Sequence, residues 1–179
     1  MEDAELRVQL EQYHTLGYGW ALTCCSRDRA EAEDVLQTAY LKIMDGRANY
    51  DGRASFKTWL FAVIRNTAAD ERRRHWLRHL RLDGFAGERE HDSQPAERGQ
   101  RLEQSERSQV FQQALAKLSR RQQEVLHLVF YQDLTVQQAA AVMGVGVGSA
   151  RTHYERGKHR LRETLRQTNH FHEYEWDRQ

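Results

Sequence analysis

Apolar residues recur at helical spacing along most of this chain, and the clearest run lies between Asp28 and Asp45. Ala32, Val35, Leu36, Ala39 and Ile43 fall at intervals of three and four, the buried stripe of an amphipathic helix. Asp28 followed by Glu31 is a capping-box pair, so that helix is expected to open there and to leave Glu33, Asp34, Gln37, Thr38, Leu41 and Lys42 toward solvent. After the loop 49–55 a long helix follows, with Phe56, Trp59, Leu60 and Val63 anchoring its first turns. Further on, Thr135 and Gln138 form another capping pattern ahead of a small apolar face of Ala139, Ala140, Val142 and Met143. Gly144-Val145-Gly146 breaks that helix, and Ser149 is placed to cap or open the next. In this last helix Ala150, Tyr154, Gly157, Leu161 and Leu165 recur at helical spacing and are expected to face inward. Alternating β-branched runs with turn dipeptides are nearly absent, and Pro95 is the only proline. The expected fold class is all-α.

The pattern lapses once, in the segment GFAGEREHDSQPAERGQ from Gly84, which holds the proline, three glycines and few apolar residues. It has too little apolar surface to offset the entropy of ordering, so a flexible tether is expected. The organisation predicted is two small helical domains, over 5–82 and 107–167, joined by a linker over 83–106 and followed by a tail over 168–179. Charge sharpens this picture. The chain's net charge of +1 conceals segregation. The linker carries Asp83, Glu88, Glu90, Asp92, Glu97, Glu103 and Glu106 against Arg89, Arg98 and Arg101, while the flanking helices are basic. An overall balance near zero would hide a nucleic-acid binder from any screen by isoelectric point.

A short helix, a glycine-containing turn and a second helix with an exposed polar face is the arrangement that places side chains in a DNA major groove. In the second helix that face is Arg151, Thr152, His153, Glu155, Arg156 and Lys158. The long helix of the first block bears Arg65, Arg72, Arg73, Arg74, Arg78 and Arg81 in its later turns. Arginines hold phosphates and neighbouring aromatics stack on unpaired bases, although a core aromatic cluster with a solvated cationic tail accounts for Trp59 and Phe61 equally well. Met1–Leu10 lacks the apolar core of a secretory signal, and no apolar run approaches the ~20 residues that span a bilayer. A cytoplasmic protein without direct membrane insertion is expected. Cys24 and Cys25 are adjacent and read as small buried side chains, with no CxxC pair to hold zinc. His170, His172, Glu173 and Glu175 in the tail are metal-ligand types, but a tail without a metal is the expectation, as is the absence of any cofactor. No nucleophile–base pair has credible spacing, so an enzyme is not expected.

Taken in order, AEDVLQTAYLKI, FKTWLFAVIRNTAADERRR, ALAKLSRRQQEVLHLVF and the helix-turn-helix resemble a bacterial sigma factor of the extracytoplasmic-function class, over about Leu10 to Leu165. The resemblance implies a promoter-melting domain and a domain for the −35 element, with no third domain between them. It implies that Glu33, Asp34, Gln37 and Leu41 grip the clamp helices of the largest subunit of core RNA polymerase. It places Arg53, Ser55, Phe56, Trp59, Arg65, Asn66, Asp70, Arg72 and Arg73 in the region that opens and reads the −10 element, where a loop receives a flipped base. Arg151, Thr152, His153, Glu155, Arg156 and Lys158 then belong to the −35 reader, and an anti-sigma factor is an expected partner. The alternative that the motif alone allows is a stand-alone helix-turn-helix regulator of transcription.

This chain departs from the family pattern in four places. Thr38 stands where an acidic residue is usual, Ser119 replaces a proline, Gly146 a serine and Gly157 an alanine. Ser119 is expected to cap the helix from Arg120 with Gln122 as its partner. A glycine inside a helix costs about 1 kcal/mol relative to alanine, so Gly157 is expected to leave the −35 helix marginal when free of DNA.

Overall fold

The computed structural model describes residues 3–82 and 106–167, and within them there are eight helices and no strands. These are α1 (Asp3–Gln12), α2 (His14–Cys24), α3 (Arg29–Met44), α4 (Phe56–Leu82), α5 (Glu106–Ala116), α6 (Arg120–Phe130), α7 (Val136–Met143) and α8 (Val147–Gln167). They fall into two compact units, one holding α1–α4 and the other α5, α6, α8 and the start of α7. The acidic linker expected over 83–106 lies outside the described residues except for Glu106, as does the tail from 168.

In the first unit α2, α3 and α4 pack on one another. Asp28 caps α3 by accepting the Glu31 N–H at 3.0 Å. The five stripe residues Ala32, Val35, Leu36, Ala39 and Ile43 are all buried. The buried face of α4 differs from the predicted one. Leu60, Phe61, Ile64 and Ala68 are fully buried, whereas Trp59 and Val63 sit half-buried at the margin. The reason is that α4 meets both α2 and α3, so it needs a face wider than a single stripe. Trp20 is the keystone of this core. It is fully buried, its ring centroid lies 6.1 Å from that of Phe61, and its indole N–H donates to the Phe61 carbonyl at 2.9 Å. The polar tip of a large apolar ring is thereby satisfied rather than stranded. Cys24 and Cys25 are buried free thiols, as expected. Tyr40 is half-buried with its hydroxyl 3.3 Å from His14 Nδ1, and desolvation raises its phenol pKa above the ordinary value.

In the second unit α8 packs against α5 and α6. Val125, Leu126 and Leu128 of α6 are buried, as are Ala150 and Leu165 of α8. Ser119 takes the place expected of it: its backbone N–H donates to Gln122 Oε1 at 3.0 Å at the start of α6. The buried carboxylate of Glu124 is paired with Arg120 at 3.0 Å and Arg121 at 3.7 Å. Gly157 has a role that the pattern did not reveal. A Cβ there would come within 3.2 Å of both Gln122 Cβ and Leu126 Cδ1, so the glycine lets α8 approach α6 closely. The residue that lowers helix propensity thus also sits at a tight seam between the two helices. Gly157→Val is therefore expected to overpack this seam and cost the second unit about 1–3 kcal/mol. Amide exchange of α6 and α8 would register the loss, with α2–α4 unchanged.

Candidate nucleic-acid interface

The helix-turn-helix is assembled by local hydrogen bonds that the sequence dictates. Thr135 and Gln138 form a reciprocal capping box: the Thr135 N–H donates to Gln138 Oε1 at 2.8 Å and the Gln138 N–H to Thr135 Oγ1 at 3.2 Å. Gly144, at φ +62°, ends α7 in the left-handed region where a side chain is disfavoured. The Val145 N–H reaches back to the Ala140 carbonyl at 3.1 Å and the Gly144 N–H to Ala141 at 3.2 Å, closing a Schellman turn. The next helix starts earlier than predicted. The Gly146 carbonyl accepts the Ala150 N–H at 3.0 Å, so Gly146 is the cap and Ser149 lies inside the first turn of α8. Glycine is an acceptable residue at that cap, which is why serine is not needed there.

On α8 the structure sorts the expected −35 residues by freedom. Arg151 and Arg156 are exposed and make no ion pair among the described residues. Thr152 is exposed but returns its hydroxyl to the Gly148 carbonyl at 3.0 Å. Glu155 pairs with Lys158 at 3.1 Å. Lys158 is half-buried, its Nζ 4.4 Å from the centre of the Tyr154 ring. His153 is half-buried. Tyr154, expected inside, is only half-buried and stacks on the exposed Phe130 at 5.9 Å.

The set expected to read the −10 element divides more sharply. Ser55 caps α4, its hydroxyl accepting the Thr58 N–H at 3.2 Å and lying 2.8 Å from the Thr58 hydroxyl. Phe56 is buried between Tyr13, Tyr50 and Trp59. Asp70 is held 3.3 Å from Lys42 and 3.6 Å from Arg73. Arg72 donates to the Cys24 carbonyl at the end of α2, at 3.0 Å. These four side chains all make contacts within the unit, although Ser55 is exposed and Asp70 partly so. Arg53, Asn66 and Arg73 are exposed, and Trp59 and Arg65 half-exposed. Arg74 and Arg78 are exposed as well, so cationic side chains recur along α4, and such side chains are suited to phosphates.

On α3, Glu33, Asp34, Gln37 and Leu41 all face solvent, and Leu41 is 56% exposed. Lys42 does not. Its Nζ turns inward to Thr67 Oγ1 at 3.2 Å and to Asp70, tying α3 to α4. The pattern missed Thr58, Thr67 and Tyr50, because a polar residue that bonds its own fold looks the same in a sequence as one that faces a ligand.

Comparison with known proteins agrees with this division into two units. Residues 10–78 match the model of sigma-70 region 2, and residues 114–163 that of sigma-70 region 4. The chain is 30% identical to the RNA polymerase sigma factor CarQ of Myxococcus xanthus, over 78% of this chain and 77% of that one. It is 28% identical to the extracytoplasmic-function sigma factor SigX of Bacillus subtilis, over 78% of this chain and 73% of its relative. A probable sigma factor of Xanthomonas campestris, RfaY, is 29% identical, but this chain spans only 40% of its length. In fold the chain is like the sigma factor RpoE of Bartonella quintana, solved with the anti-sigma factor NepR (TM-score 0.72, 23% identity, 90% of this chain and 97% of that one). The chain belongs to the sigma-70 family of RNA polymerase sigma factors. Within it, the extracytoplasmic-function class is the one its relatives define, and the stand-alone regulator is not favoured.

Proposed function

We propose that this chain recruits core RNA polymerase through α3, opens and reads the −10 element along the loop before α4 and the exposed side of α4, and reads the −35 element with α8. The observation that carries the reading is the separation of surfaces within the first unit. The acidic and apolar positions Glu33, Asp34, Gln37 and Leu41 are exposed on α3, and the arginines Arg73, Arg74 and Arg78 are exposed on α4, with Arg65 half-exposed. One fits a protein partner, the other a polyanion. Of the −10 set, Arg53, Trp59, Arg65, Asn66 and Arg73 are the side chains that meet DNA, while Ser55, Phe56, Asp70 and Arg72 hold them in place. On α8, Arg151 and Arg156 make the principal contacts.

An arginine that pairs bidentately with guanine is worth roughly 1–3 kcal/mol of discrimination. Arg151→Ala and Arg156→Ala are therefore expected each to weaken binding to −35 duplex by about five- to 150-fold with the helical signal intact. Competition binding against unrelated duplex tests this, and normal discrimination by either variant removes that residue from the reading face.

The chain acts in the cytoplasm, where the polymerase is. Among the described residues no helix is long and apolar enough to cross a membrane. An anti-sigma factor is a fitting partner, since the RpoE structure of similar fold was captured with one. The exposed Asp34 and Leu41 give such a protein the same surface that the polymerase needs.

A further inference from the structure

The Tyr50 side chain ties together the two ends of the segment that leads into α4. The Tyr50 hydroxyl donates to the Ala54 carbonyl at 2.7 Å, so a single residue closes this segment from its start to its end. The Tyr50 ring rests against Trp59 at 5.3 Å and against the edge of Phe56 at 5.5 Å, with interplanar angles of 52° and 78°. Phe56 and Trp59 are themselves 5.3 Å apart, so the three rings form a closed triangle at the root of α4. Inside the loop the Arg53 N–H donates to Asp51 Oδ1 at 3.1 Å, and the Arg53 guanidinium lies 3.3 Å from the same carboxylate. The result is a braced loop whose tip, Gly52-Arg53-Ala54, stays exposed.

Such bracing has a cost and needs a reason. Ordering a loop of this kind costs about 1–2 kcal/mol per residue in backbone entropy. The exposed tip buries nothing in return. What a fixed tip does give is a constant backbone path beside the Tyr50 and Trp59 rings, which a strand with an unstacked base requires. Extruding a base costs a few kcal/mol, and a pocket recovers it only when its groups are already in place.

We propose that Tyr50 is a positioning residue for promoter reading: its hydroxyl and ring fix the α3–α4 loop so that one unpaired base of the −10 element is discriminated. The inference rests on the assignment of this loop to the −10 element made above. Tyr50 touches no DNA itself in this account. It acts through the Ala54 carbonyl and through Phe56 and Trp59.

The test uses holoenzyme assembled from core polymerase with the full-length wild type, Tyr50→Phe or Tyr50→Ala. Each is offered single-stranded oligonucleotides randomised across the −10 element, and the bound sequences are counted. Tyr50→Phe keeps the ring and loses only the bond. It is expected to reduce enrichment of the favoured base about fivefold at one position, the scale of one neutral hydrogen bond. Enrichment at the other positions, affinity for core polymerase and the thermal midpoint are expected to match wild type. Tyr50→Ala is expected to flatten that position completely. Unchanged enrichment by Tyr50→Phe would overturn the proposal, as would a uniform fall at every position together with a lower thermal midpoint. Failure of the wild type itself to enrich any base would instead overturn the assignment of the loop to the −10 element, and the proposal with it.

Discussion

Combining Asp34→Arg with Leu41→Ala is expected to lower capture of core polymerase at least about a hundredfold. Both side chains are exposed on α3 and neither braces the fold, so the loss is expected without any change in stability. Leu41 is the one large apolar side chain among the four exposed α3 positions, which suits the anchor of an interface. If the acidic α3 face meets a complementary surface, reversing the Asp34 charge sets like charges against each other, and such juxtaposition costs several kcal/mol. Immobilised core enzyme measures this directly. The isolated double variant is expected to keep its melting midpoint and its affinity for −35 duplex. Undiminished capture would move the polymerase contact off α3.

The second large effect concerns the helix-turn-helix. Ala150 is fully buried in the first turns of α8. Ala150→Asp would place an unpaired carboxylate in apolar surroundings, a penalty of several kcal/mol against a small unit's total stability. Unfolding of α5–α8 and loss of duplex binding are expected, with α1–α4 still folded. Tyr154→Asp is a milder lesion than the repeat pattern implies. Tyr154 is half-exposed and Lys158 lies 4.4 Å from its ring, so a carboxylate there would find water and a cation. Amide exchange across both units separates the two variants. Protected α6 amides in Ala150→Asp would show that this seam is not what holds the unit.

Much of the fold is legible in the sequence because helices announce themselves by local chemistry. Asp28 with Glu31, Ser119 with Gln122, and Thr135 with Gln138 each place a donor and an acceptor at a fixed spacing. The hydrogen bonds follow wherever an apolar stripe comes next. Gly144 is legible for the same reason, as the residue that takes φ +62° without strain. The start of α8 was harder to place, because Gly146 and Ser149 both have cap chemistry and only the path of the chain chooses between them. Tertiary roles were not legible. Lys42 looks solvent-facing on a helical wheel, yet a four-carbon stem lets it fold inward to Thr67 and Asp70 on another helix. Gly157 looks like a weakness until Gln122 and Leu126 are seen against it. In the set that the family motif assigns to the −10 element, Arg72 and Asp70 are bonded to other parts of the unit, while Arg53 and Asn66 are exposed. A sequence motif marks what a site requires without saying which members touch the ligand.

Initiation in a purified system tests the central claim most directly. Core RNA polymerase, the full-length chain and a library of genomic fragments are combined, and the starts of the RNA products are mapped. The expected result is a discrete set of starts that share elements near −10 and −35, that require the chain, and that vanish with the Asp34→Arg, Leu41→Ala variant. Tight, sequence-specific binding of the chain alone to duplex DNA, with no new starts when core polymerase is present, would contradict the account.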